Sequence, residues 1–294
     1  MGLRIKTNIA SINAQRTLMK STDATKQSME QLASGYRINK AADDAAGLSI
    51  SSSLTAKTRS MEQAMRNAND GISLIQVAEG GMNEMTNILQ RLRELATQSA
   101  SDTIGNRERS FTNREYVSLV DEIDRIANNT EFNGLKLLKG SEGNGGKDLF
   151  QIHVGAGDGL IPNTDTIKLD INDMRLNPSE DFGLGKESEI GPVDPNGDFD
   201  RVMAQEKLTK IDVALNRINS TRSTLGAQQS RINSTISNLG IQIENNKSAN
   251  SRIRDVDFAA ATAQHTQNKI LQQAGVSVLA QANNEPEMVM TLLR

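Results

Sequence analysis

The chain has no cysteine and no tryptophan among its 294 residues, and its aromatic residues are six Phe and two Tyr. Without cysteine there are no disulfides and no thiolate metal sites. Without aromatics, a layered globular core loses the side chains that usually bury most area. What remains to bury is Ala, Ile, Leu and Met, along narrow helical seams or between chains. Long apolar runs are missing too. The start, Met1-Gly2-Leu3-Arg4-Ile5-Lys6-Thr7-Asn8, leads into no apolar stretch of signal-peptide length, and nothing reads as a bilayer span. No membrane insertion is expected, and an exported chain would use no ordinary cleaved signal. Charge of one sign is also lacking, with 33 basic and 36 acidic residues and a net charge of −3. That balance gives neither a basic patch for nucleic acid nor an acidic arm.

Proline and glycine are present but gathered. Four of the five prolines and eleven of the 22 glycines fall between Gly140 and Gly197. The pattern is helical arm, irregular middle, helical arm. In the first arm Leu54, Met61, Ala68, Ile75, Met82, Leu89 and Ala96 recur at seven-residue steps. Their companions lie four residues on at Met65 and Ile72, then three residues on at Met85 and Leu92. This is a coiled-coil-like seam, and the change of offset near Gly80-Gly81 predicts a local change of winding. If continuous, it spans roughly 60–65 Å at ~1.5 Å per residue. In the second arm Ile211, Ile218, Leu225, Ile232 and Leu239 step by seven, and the row resumes at Ile253. Leu208, Leu215, Ile236 and Ile243 accompany it, interrupted by Arg222 and Gln229.

The fold class expected is therefore mainly α. The two arms form a long antiparallel coiled-coil-like rod, with a small β-hairpin region in the middle. A third helix is predicted from Thr112, where Thr112-Asn113-Arg114-Glu115 fits a capping box, to a stop and turn at Asn133-Gly134. Phe150, Ile152 and Val154 alternate with polar neighbours, as do Ile167, Leu169 and Ile171, and predict one hairpin. The ends, about residues 8–36 and 256–293, read as weaker helices. Ile9, Ile12, Met19, Met29, Leu32 and Tyr36 on one side, and Ile270, Leu271, Val278, Leu279, Met288, Val289, Leu292 and Leu293 on the other, sit among many polar residues. Such ends should be disordered alone and order on association.

Nothing points to catalysis, a metal or a cofactor. His153 and His265 have no acidic partner at ligand spacing. Gly155-Ala156-Gly157-Asp158-Gly159 lacks the Lys-Ser/Thr and helix that a phosphate-binding loop requires. Asp43-Asp44 reads as a helix start, since adjacent residues on a helix do not face each other. The sequons at Asn128, Asn219 and Asn233 read as chance in an Asn-rich chain, and the last two lie inside expected helix.

Specific strings resemble the bacterial flagellins. Gly35-Tyr36-Arg37-Ile38 followed by Asn39-Lys40-Ala41-Ala42-Asp43-Asp44-Ala45-Ala46-Gly47 is similar to the family's N-terminal signature. The strings from Arg66 to Ser73, Leu89 to Ala96, Arg231 to Leu239, Ile270 to Asn283, and Leu292-Leu293-Arg294 continue the match. Ala261 stands where the family commonly has glutamate, and Lys6 replaces a frequent Asn. The resemblance implies an inner terminal domain built from 1–43 and 255–294, rod helices at 44–140 and 201–254, and a variable hairpin region at 141–200. It implies a structural subunit, not an enzyme, that self-assembles into the extracellular flagellar filament after type III export. Its partners would be itself, an export chaperone, the cap protein and the hook-associated junction protein. It also implies contact with the innate receptor Toll-like receptor 5 through Arg91 and Leu95, with Glu115 nearby. A hook–filament junction protein and a secreted adhesin are the alternatives.

Overall fold

The computed structural model describes residues 7–140, 149–155, 157, 165–170, 174–176, 190 and 201–292, with backbone only at 201–202 and 285–292. Five helices lie among the described residues: α1 (Ile9–Ser34), α2 (Ala45–Ser99), α3 (Asn106–Asn129), α4 (Arg201–Arg254) and α5 (Phe258–Leu292). Four short strands complete them: β1 (Glu131–Phe132), β2 (Leu135–Lys136), β3 (Leu149–His153) and β4 (Thr166–Asp170). The mainly α expectation, with a small hairpin, holds. Two compact units divide the chain, one made of 1–58 and 243–294, the other of 59–242.

The core of the second unit is a seam of sevens. On α2, Met61, Ala68, Ile75, Met82, Leu89 and Ala96 are all buried. On α4 the matching row is Ala204, Ile211, Ile218, Leu225, Ile232 and Leu239. Two ion pairs fix the direction: Arg93 Nε lies 2.8 Å from Asp212 Oδ1, and Arg222 Nη2 lies 3.6 Å from Glu79 Oε1. As α2 advances α4 retreats, so the two are antiparallel. The first seam position, Leu54, belongs to the other unit and is half-buried.

The companion row on α2 differs from expectation. It runs three residues on throughout 61–99, as Ala64, Gly71, Ala78, Met85, Leu92 and Ser99, all buried. Met65 and Ile72 are only half-buried at its flank, and α2 passes through Gly80-Gly81 without a break. The apparent change of offset arises because the N-terminal half of the row is small. Small residues admit neighbours. A Cβ on Gly71 would come within 2.4 Å of Ile152 Cδ1 on β3, and one on Gly81 within 2.8 Å of Thr130 Oγ1. Nearby, Asn67 Nδ2 donates to His153 O at 3.0 Å. The hairpin β3–β4, paired antiparallel with Phe150 opposite Leu169, is thus seated against α2. The expected Ile171 lies outside the described residues, as do Ala156, Asp158 and Gly159 of the glycine-rich run.

Helix α3 begins six residues before the expected cap. Gly105 is its N-cap, without a side-chain hydrogen bond. Thr112 is interior, and its hydroxyl donates back to Arg109 O at 2.9 Å, the local bond by which a mid-helix Thr satisfies itself. The polar first turn, Asn106-Arg107-Glu108-Arg109, carries no apolar period, so periodicity could not show it. The helix stops at Asn129, with Thr130 extended. Asn133 and Gly134, at φ 51 and 78, form instead the two-residue turn of the β1–β2 hairpin, the left-handed pair that such turns demand. Buried Ile190 is held at both ends, its N–H by Asn113 Oδ1 at 2.9 Å and its carbonyl by Ser99 Oγ.

In the first unit, the links α1–α2 and α4–α5 pair across a joint. Arg37 N donates to Arg254 O at 2.7 Å and Val256 N to Gly35 O at 3.0 Å. The Arg254 guanidinium stacks 4.3 Å over the Tyr36 ring, an attraction of charge to ring quadrupole. Gly35 ends α1 in the left-handed region at φ 73, as a helix C-cap favours. The two aspartates divide the work between them. Asp44 Oδ1 accepts from Gly47 N at 2.8 Å and caps α2, as short acceptors do at N-termini. Asp43 Oδ2 accepts from the N–H groups of Lys40 and Asn39 at 2.9 and 3.0 Å. Those bonds, Lys40's first, hold the Asp43 carboxyl below its ordinary value.

Gly71→Val should force β3 away from α2 and destabilise the chain by ~1–3 kcal/mol. Gly80→Ala has nothing within 4 Å of the new Cβ and should stabilise by up to ~1 kcal/mol. Urea denaturation of the two variants should therefore move the midpoint in opposite directions. Asp43 gives a pH dependence. Its folded value is depressed, so its contribution is present above the unfolded value near pH ~4 and fades as pH falls through the lower folded one. Thermal melts from pH 6 to 3 should show a shallower acid loss for Asp43→Asn, and a small one, because the carboxylate is exposed and screened.

Candidate assembly face and receptor-facing cluster

Helices α1 and α5 lie against each other with their sides assigned contrary to habit. The seam between them is small and polar. Among the described side chains, Ser11 and Ser28 on α1, and Ala261, Asn268 and Ala282 on α5, are the buried residues. Asn268, Gly275 and Ala282 keep the seven-residue step from Ala261, with Gly275 against Leu18 Cδ1. Side-chain hydrogen bonds cross the seam. Asn8 Nδ2 donates to Ala282 O at 2.7 Å, Ser11 Oγ to Asn283 Oδ1 at 2.8 Å and Ser21 Oγ to Asn268 O at 3.0 Å. Gln272 Nε2 reaches Thr22 Oγ1 at 3.3 Å. The helix starts are capped by Asn8, which accepts from Ser11 N, and by Asp257, whose Oδ1 accepts from Ala259 N at 2.9 Å.

Leu18 and Leu32 are half-buried, but most of the larger apolar residues described on these helices face outward. Ile9 and Ile12 on α1 are 57% and 55% exposed, and Ile270 and Leu271 on α5 are 60% and 52% exposed. Val276, Val278 and Phe258 are exposed as well, and Leu279 is half-buried. A shallow trough on α5 is lined by Phe258, Thr262, Thr266, Ile270 and Leu271. Leu293 and the side chain of Leu292 lie outside the described residues. Isolated exposed apolar residues are ordinary, but a whole helix pair of them marks an interaction surface.

The second candidate lies at the meeting of α2 and α3. Arg91 Nε donates to Glu115 Oε1 at 2.9 Å, and its Nη1 donates to Glu94 Oε2 at 2.9 Å. Glu94 first, then Glu115, raises the already high value of the Arg91 guanidinium. Glu115 is thus an ion-pair partner and not a capping residue. Arg91 and Glu115 are about half exposed, and Glu94 is 68% exposed. Leu95 is different. At 1% exposure it sits in the core with Leu92 and Tyr116, because it occupies the inward side of α2 beside the seam residue Ala96. It offers no surface to a receptor in this structure. The two histidines stay apart in sequence and role: His153 on β3 and His265 on α5 are both half-buried. Among the described residues no three His, Asp or Glu side chains converge as metal ligands, and no helix is long and apolar enough to cross a membrane.

Known proteins share this plan. Residues 5–143 match the family of the bacterial flagellin N-terminal helical region, and residues 208–293 match that of the C-terminal helical region. A flagellin of Halalkalibacterium halodurans is 40% identical over 290 residues, covering 99% of both chains. Polar flagellin C of Vibrio parahaemolyticus is 35% identical over 387 aligned positions, covering both chains completely. The fold also resembles a putative flagellar hook-associated protein from Vibrio parahaemolyticus, with a TM-score of 0.58 at 13% identity, over 72% of this chain and 100% of that one. With both helical ends matched and full-length relatives above a third identical, this chain belongs to the bacterial flagellin family, whose members are structural proteins of the flagellum.

Proposed function

We propose that the α1–α5 pair is the polymerising element of a flagellar filament subunit, and that the seam of α2 and α4 is its folded support. The observation that carries this is the placement of Ile9, Ile12, Ile270, Leu271 and Val278 on open faces while Ser, Asn and Gly occupy the seam. Covering a half-exposed Ile or Leu contributes on the order of 1 kcal/mol. Ordering a residue's backbone costs ~1–2 kcal/mol. One contact cannot hold such an end, and many simultaneous contacts with neighbouring copies can. On this reading 1–43 with 255–294 forms the inner domain, 44–140 with 201–254 forms the rod, and 141–200 is the variable region.

The same weakness suits passage through a type III export channel as a largely unfolded chain, with folding at the tip under the cap protein. An export chaperone would cover the apolar faces before assembly, and the hook-associated junction protein would offer the first copy a matching surface. Identity of 35–40% over full length to flagellins favours a filament subunit over a junction protein. Against an adhesin, the hairpin is seated on α2 through Ile152 and His153. Arg91 and Glu115 remain available to Toll-like receptor 5, whereas Leu95 would contribute by fixing α2 in place.

Removing residues 280–294 should abolish filaments in negative-stain images while leaving the helical signal and melting of the 59–242 unit nearly intact. Normal filaments from that truncation would sink the assignment. Arg91→Ala should reduce receptor signalling by purified monomer at least tenfold with no change in melting temperature. Unchanged signalling would remove the receptor from the list of partners.

A further inference from the structure

The composition leaves one kind of side chain as the preferred target of a two-electron oxidant. With no cysteine and no tryptophan, the thioether of methionine is the softest nucleophile the chain offers. Peroxides transfer an oxygen atom to such a sulfur when they can reach it. Among the described methionines Met65 is half-buried and Met203 on α4 is exposed, and the others fall into two groups. Met61, Met82, Met85 and Met174 are buried in the 59–242 core. Met19 and Met29, the described methionines of α1, are 68% and 61% exposed. Met19 stands seven residues after Ile12 and continues its outward row. Met29 follows Ser28, a seam residue, and so lies at the edge of the same open face.

We propose that Met19 and Met29 form a peroxide-responsive modification site that opposes polymerisation. The inference rests on the reading that the α1–α5 pair assembles. Each step consumes one hydroperoxide: the thioether sulfur attacks the distal oxygen, the O–O bond breaks, the sulfur is oxidised to sulfoxide, and the peroxide leaves as water or alcohol. The sulfoxide replaces a flexible apolar tip with a strong dipole. A face that loses water on assembly then has an acceptor to desolvate, which costs free energy unless a donor meets it. In an assembled polymer the same sulfurs are covered by neighbours and escape the oxidant. Chemistry at α1 therefore acts on subunits before assembly, and it is reversed when a methionine sulfoxide reductase with a dithiol returns the thioether, yielding disulfide and water.

The test treats full-length monomer, and separately preformed filaments, with millimolar hydrogen peroxide and follows each methionine by peptide mass spectrometry. In monomer, Met19 and Met29 should oxidise at least tenfold faster than Met82 and Met85, and in filaments that advantage should disappear. Oxidised monomer should need at least a tenfold higher concentration to polymerise, and reductase treatment should restore the original threshold. Met19→Leu with Met29→Leu, judged against its own untreated sample, should lose this sensitivity although exposed Met203 still oxidises. Equal oxidation rates across the methionines, or unchanged polymerisation after complete conversion at 19 and 29, would overturn the inference and leave the assembly reading intact. Failure of the untreated chain to polymerise at any concentration would overturn both.

Discussion

Everything in this molecule depends on what fills a seven-residue packing row. A row of sevens aligns side chains into one narrow stripe, because seven residues nearly complete two helical turns. On α2 and α4 the stripe is filled mostly with Ile, Leu and Met, with Ala at 68, 96 and 204, and it is closed to water. Between α1 and α5 a stripe with the same step is filled by Ala, Asn, Gly and Ala at 261, 268, 275 and 282. The first filling makes a core. The second makes only a contact, held by hydrogen bonds whose net value is ~1 kcal/mol each after competition with water, and it leaves the apolar residues unburied.

The small positions serve a second purpose. Gly71 on α2 is narrow enough to admit Ile152 of β3, and Gly81 beside Met82 admits Thr130 and Leu138, which follow α3. In a chain with so few aromatics, apolar area must be buried by close approach, since bulk is unavailable. Among the described residues Tyr116, on α3, is the wholly buried aromatic. Glycine in a helix costs up to ~1 kcal/mol. At Gly71 the seating of Ile152 offsets that cost, and at Gly80, with nothing within 4 Å, no contact does.

Much of this was legible in the sequence where large apolar residues marked it. The α4 row, the main α2 row and the β3–β4 alternation announce themselves by period. Three things did not. The companion row on α2 was obscured because half of it is Ala and Gly, which carry no hydrophobic signal. The start of α3 was missed because a polar first turn has no period, while Thr112 and Glu115 presented a capping box that the backbone does not use. The motif at Leu95 implies a receptor contact, whereas the residue is buried beside Ala96 on the inward side. The outward-facing termini were visible as composition, but not as direction. No rule of helical amphipathicity says that Ser11 and Asn268 should point inward and Ile12 outward; only the identity of the partner decides that.

That reversal has a thermodynamic consequence for assembly. A pair whose apolar faces are open gains little from folding alone and much from being surrounded. If this pair is the polymerising element, as proposed, the ordering cost of α1 and α5 is incurred once per subunit, whereas the compensating burial requires several neighbours at once. Addition to an end that presents all those neighbours would then be favourable, and formation of a dimer that presents one would not. Such a balance yields a sharp concentration threshold and growth only at an existing end. It also means that any change on the open face acts on the threshold directly. A buried seam residue such as Ile75 would absorb a change of the same size within the stability of the single chain.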